Sequence, residues 1–197
     1  MLKVLSIGCV TILLLIVAAG VGGAYYLGWI GGQGKYDSAP SACGLVDEAA
    51  VDAAVPGLTG DMTEETREFS SMDDLECLVG DEWGDDRIYL SVIPYGKDEI
   101  GFQHRSADEN AERQYRSKWV TETSRHPEPG PGGVEVRVGE GGSPGYEYVT
   151  AVTQFDNLVV EARVEASTEE GQSGSLSESE SQDLAVTLLV HAVEQIR

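Results

Sequence analysis

Apolar residues run without a charged side chain from Val4 to Ile30, and Ser6, Cys9 and Thr11 are the polar interruptions. As a helix this run would extend about 40 Å, more than the ~30 Å hydrocarbon core of a bilayer. It predicts a transmembrane anchor over residues 1–30, with Lys3 and the amino terminus cytoplasmic and Tyr25, Tyr26 and Trp29 at the outer interface. A cleaved signal peptide is the competing reading, since Gly22 and Ala24 are small residues at a cleavage-like spacing. Cys9 sits before most of the apolar run, the wrong order for a lipid-modified cysteine, and reads as a small membrane-embedded hydrophobe. Gly28 and Gly32 form a GxxxG spacing that reads either as a helix-packing motif or as the start of a glycine-rich exit.

Periodicity disappears over residues 31–42, "GGQGKYDSAPSA", whose glycines and small polar residues predict a flexible tether. Residues 43–197 then carry the alternations of a folded domain. Ala50, Val51, Ala54 and Val55 form the apolar face of a first helix from Glu48 to Val55, with Asp47 as N-cap and Pro56-Gly57 as its stop. The polar stretch from Gly57 to Asp74 reads as mostly loop. Leu75, Cys77 and Val79, then Ile88, Leu90 and Val92, alternate as two strands of a hairpin around "GDEWGDD".

A second helix is predicted over 106–123. Ser106 and Glu109 form a capping box, Glu109/Arg113 and Glu112/Arg116 are i,i+4 pairs, and Ala111, Tyr115 and Trp119 make its packing stripe. Val134, Val136 and Val138 predict another strand, ended by "EGGSPG". Asp156-Asn157 can form a two-residue type I′ turn. In that register Val149, Ala151 and Thr153 face Val160, Ala162 and Val164 on one side, while Thr150 meets Arg163 and Tyr148 meets Glu165 on the other. "STEEGQSGSLSESES" reads as a solvated connector. A last helix from Glu178 to Ile196 opens on the capping box Ser177/Glu180, and "LAVTLLVHAV" predicts deep burial. The order α-β-β-α-β-β-β-α describes an α+β domain, an antiparallel sheet of about five strands covered by helices on one face.

Acidic side chains number 34 against 13 basic ones, for a formal net charge of −21. Lys3 and Lys35 are the charged residues before Asp37, so the acidity belongs to the domain. Such a surface repels phosphate backbones and argues against a nucleic-acid partner.

With Cys9 in the membrane, Cys43 and Cys77 are the cysteines left outside, and an even count of two in an exported domain predicts a disulfide between them. Two cysteines without a nearby histidine do not fill a zinc site. "ACGLVDEAAVDAAVPG", the second cysteine at the start of the hairpin, and the closing strands and helix together resemble the small exported domains of actinobacterial cell-envelope proteins and lipoproteins. The resemblance implies a PsbP-like α/β fold for residues 43–196.

Catalytic chemistry finds little purchase. His104, His126 and His191 have no metal-ligand spacing, and His191 in the last helix reads as a satisfied core histidine rather than a ligand. "GQSGS" lacks the GxSxG order of a nucleophile elbow, and "GEGGSPG" lacks the lysine and helix of a phosphate loop. Asp81, Glu82, Asp85 and Asp86 form an acidic turn without EF-hand spacing, a solvated turn or a calcium site. No cofactor and no catalytic site is expected. The expectation is a single-pass, membrane-anchored extracytoplasmic module that binds an envelope protein or small ligand. Its alternatives are a regulatory or structural subunit of a membrane complex, or an unrecognised secreted enzyme.

Overall fold

The computed structural model describes residues 34–69, 72–80, 86–97, 105–117, 128–129, 135–143, 146–167 and 176–197. The anchor reading, Cys9, Trp119, His104, His126, "GQSGS" and Asp81, Glu82 and Asp85 lie outside them. Among the described residues no helix is long and apolar enough to cross a membrane.

The described residues include three α-helices, α1 (Glu48–Ala54), α2 (Ala107–Ser117) and α3 (Glu178–Ile196). The strands are β1 (Met62–Phe69), β2 (Met72–Val79), β3 (Asp86–Pro94), β4 (Glu128–Pro129), β5 (Glu135–Ser143), β6 (Tyr146–Phe155) and β7 (Leu158–Ser167). Six of them form one antiparallel sheet in the order β1-β2-β3-β7-β6-β5, and the two-residue β4 extends it beside β5.

The β6–β7 hairpin has the expected register, with Val149 opposite Val164, Ala151 opposite Ala162 and Thr153 opposite Val160. The hairpin of β2 and β3 also forms, pairing Cys77 with Leu90 and Val79 with Ile88. One face of the sheet carries Cys77, Val79, Ile88, Leu90, Val92, Val149, Ala151, Val160, Ala162 and Val164, all buried in the main core. Leu184, Ala185, Leu188, Leu189 and Ala192 of α3 and Val51 of α1 close that core.

Three expectations about the sheet change. The stretch read as loop after Gly57 contains β1, whose charged residues hide its period because it is an edge strand with little to bury. The strand expected to end at "EGGSPG" continues through Gly139, Gly141 and Gly142 to Ser143. The sheet is also covered on both faces. Ala111 and Tyr115 of α2 pack with Ile93, Tyr95, Val152 and Val159 on the side away from α3.

Both capping boxes form. The Ser106 N–H donates to Glu109 Oε2 at 2.9 Å and the Glu109 N–H to Ser106 Oγ at 3.2 Å. Ser177 and Glu180 make the same reciprocal pair at the start of α3. The Glu112–Arg116 pair is present, whereas Glu109 spends its carboxylate on the cap. Helix α3 has the expected limits but not the expected all-round burial, since Thr187 and Asp183 face solvent.

Candidate functional site

Cys43 and Cys77 are joined by a disulfide, with their Cα atoms 4.9 Å apart. Cys43 opens a single 3-10 turn, Cys43–Leu45, whose N–H groups need acceptors. Glu64 of β1 supplies one. Its Oε2 accepts from the Cys43 N–H at 2.9 Å and from Ser41 Oγ at 2.7 Å. The Cys43 N–H first, and the Ser41 hydroxyl second, hold the Glu64 carboxyl below its usual 4.5. Disulfide and carboxylate thus tie the start of the domain to two neighbouring strands.

A second joint lies in the β6–β7 turn. Asn157 is wholly buried, and its Oδ1 accepts from the N–H groups of Lys35 and Tyr36, both at 2.9 Å. Its Nδ2 donates to the carbonyls of Tyr36 (2.7 Å) and Tyr95 (2.9 Å). All four hydrogen-bonding positions of the amide are therefore used. Gly34 is required beside it, because φ is +84° and a Cβ there would lie 2.4 Å from Asn157 Cγ. The turn departs from the expected type I′. Only Asp156 has positive φ (48°), whereas type I′ needs it at both central residues.

Residues of the stretch read as tether therefore contact the domain. Ala42 is buried in the core, Ala39 and Tyr36 pack against it, and Lys35 Nζ is 3.3 Å from Asp156 Oδ2.

On the face away from α3, charges form cross-strand rows. Arg87 Nη2 lies 2.8 Å from Glu165 Oε2, and Arg163 Nη1 lies 3.4 Å from Glu165 Oε1. Arg163 also stands 5.0 Å above the Tyr148 ring, which lies on Gly141, where a Cβ would come within 2.3 Å of the ring. Burial disfavours the Arg163 charge, but Glu161 and Glu165 outweigh it and its pKa rises. Burial, then the charge of Glu165, raises the Tyr89 phenol. Tyr95 is pushed up to about 12 by burial, then by Asp74 and Glu161. These ion pairs link neighbouring strands on this face.

The candidate binding site is a cleft of about 330 Å³ between the first turn of α3 and the far ends of β5, β6 and β7. Val149, Ala166 and Leu176 supply apolar wall, and Glu140, Glu147 and Glu178 stand around it with Ser181. Its size falls at the lower end of small-molecule sites. Carboxylate, hydroxyl and apolar side chains thus line the same cleft. Sequence reasoning did not find this cleft, because its walls come from two hairpin strands, β7 and a distant helix. The glycines at 141 and 142 were the available signal, since glycine inside a strand marks close approach.

The other expected site residues do not converge. His191 Nδ1 is 3.7 Å from Asp47 Oδ2, the carboxylate that caps α1, and it is partly exposed rather than core. Asp86 opens β3. Among the described residues no group of three His, Cys, Asp or Glu is placed to hold a metal ion.

No family model and no curated protein matches the chain. Among solved structures it is similar to the extracellular domain of PknH from Mycobacterium tuberculosis, with 11% identity and a TM-score of 0.42 over 77% of this chain and 94% of that one.

Proposed function

We propose that the protein is an extracytoplasmic binding module, held at the membrane by residues 1–30, whose ligand site is the cleft at the start of α3. One observation carries this reading, the Cys43–Cys77 disulfide. Structural disulfides persist in oxidising compartments and are rare where thioredoxin and glutathione keep thiols reduced. The charge-free run from Val4 to Ile30 supports membrane attachment. An antiparallel sheet with helices on both faces and a single bridge support membership among exported cell-envelope domains of PsbP-like kind.

Binding rather than catalysis is the role the cleft supports. The charged side chains that line it are carboxylates, which attract a cation, beside the hydroxyl groups of Tyr148 and Ser181. The occupant we propose is a small organic ammonium with an apolar segment long enough to cover Val149 and Leu176.

Two measurements test the two halves of the reading. Thiol counting on protein isolated without reductant should find Cys43 and Cys77 unreactive, and two reactive thiols there would remove the argument for export. In an NMR titration with hexylammonium as probe, the amides of Val149, Ala166 and Ser181 should shift saturably, and E147Q/E178Q should weaken the response. Shifts spread evenly over the acidic surface, or none, would end the cleft assignment.

A further inference from the structure

We infer that the domain stands directly on the bilayer, with the end of the sheet that carries the β6–β7 turn against the lipid surface and the cleft pointing away. This rests on the proposed anchoring by residues 1–30.

The inference follows from where the chain is seized. Asn157 grips the backbone of Lys35 and Tyr36, and Gly34 lies against its side chain. Four residue steps separate Ile30 from Gly34, which span at most about 14 Å when fully extended. A tether running to Cys43 would have allowed the domain to rotate freely. A chain gripped at residue 34 does not, because the turn holding it must stay within that distance of the membrane.

The surface around the grip suits an interface. Lys35 Nζ lies 4.9 Å from the Tyr36 ring centre, Tyr36 meets Phe155 edge-on at 5.9 Å, and the Arg197 guanidinium stands 5.9 Å from Phe155. Tyr36 and Phe155 pack partly buried against the core, with the Tyr36 hydroxyl buried, and the exposed long side chains of Lys35 and Arg197 beside them suit the headgroup region. Lys97 follows Gly96 at the same end, where the Gly96 carbonyl accepts from Asn110 Nδ2 at 2.8 Å. Asp37, Asp74, Asp156 and Glu194 lie at this end too, as by register do Glu68 and Asp73, so it carries acids as well as Lys35, Lys97 and Arg197, whereas Glu140, Glu147 and Glu178 surround the cleft at the other. Helix α3, 19 residues long, runs from the cleft to Arg197 and separates the two ends by about 28 Å. The consequence for function is that the cleft opens to the aqueous phase and takes its ligand from there, not from the bilayer.

The test uses the full chain reconstituted into phosphatidylcholine–phosphatidylglycerol vesicles containing a lipid with a nitroxide headgroup. A fluorescent amino acid replaces Gly96 in one sample, where a side chain meets nothing within 4 Å, and Glu178 in another. Short-range quenching should be several-fold stronger at position 96 than at 178. In Asn157→Ala, or in a chain with a twelve-residue Gly/Ser insertion after Gly32 that leaves the folded contacts intact, the difference should shrink. Equal quenching at both positions, or none at either, in protein that sediments with the vesicles overturns the orientation and leaves the anchoring standing. Protein that stays in the supernatant overturns the anchoring and the orientation together.

Discussion

Asn157 shows how much one side chain can hold. Replacing it by alanine strands two N–H groups and two carbonyls around a buried space, on Lys35, Tyr36 and Tyr95. Each buried group left unpaired costs about 1–3 kcal/mol, so Asn157→Ala should lose about 3 kcal/mol or more in urea unfolding. An unchanged midpoint would mean that water replaces the amide without loss. Glu64 has a different signature. Its folded-state pKa is depressed, so its contribution is fully present above the ordinary value of 4.5 and is lost as pH falls through the lower folded value. Compared across pH, the stability difference between the native chain and Glu64→Gln should therefore hold near neutrality and close progressively below pH 4.5. A difference that grows toward acid would contradict the assigned hydrogen bonds.

At the level of elements, β1 and α3 depend on different devices. β1 is an edge strand whose residues 64–66 are exposed, and it is fastened by its ladder to β2 and by Glu64. The disulfide closes 34 residues of chain around it, and loop-closure entropy for that length is about 3.8 kcal/mol, an upper value. Cys43→Ser with Cys77→Ser should cost about 2–4 kcal/mol, with amide exchange accelerating first in β1. Uniform acceleration across β6 and β7 would instead make the bridge a global support. Helix α3 gains its stability from Leu184, Leu188 and Leu189 against the sheet, and its cap adds to that. Ser177→Ala removes the reciprocal pair with Glu180 and should cost about 1 kcal/mol, read from the thermal midpoint.

Across the whole molecule, the two ends of the sheet have different work. One holds the backbone of residues 35 and 36 through Asn157 and the other carries the candidate cleft. Residues 34–42 belong mechanically to the first end, through Tyr36, Ala39 and Ala42 as well as the Asn157 grip. A chain that begins at Cys43 should accordingly be less stable in urea than one that begins at Gly34, by about 3 kcal/mol or more from lost hydrogen bonds and apolar burial. Equal stability would show those contacts to be ornamental and would return the segment to a loose tether.

Local patterns determined a good part of this protein. Both capping boxes, the β6–β7 register, the limits of α3 and the Cys43–Cys77 pairing were readable, because each depends on residues close in sequence or on a count with one solution. What the sequence left open depends on neighbours far along the chain. β1 has no apolar period of its own and exists because β2 offers it a ladder. The second covered face exists because α2 lands on Val152 and Val159, residues that look like the wet side of a strand until a helix is placed on them. Asp156-Asn157 was legible as a turn, yet the grip on residues more than a hundred positions away was not, since an amide's partners are set by folding rather than by spacing. The cleft is the same case. Its walls meet only once β5, β6, β7 and α3 have packed, so its shape and charge are properties of the tertiary structure.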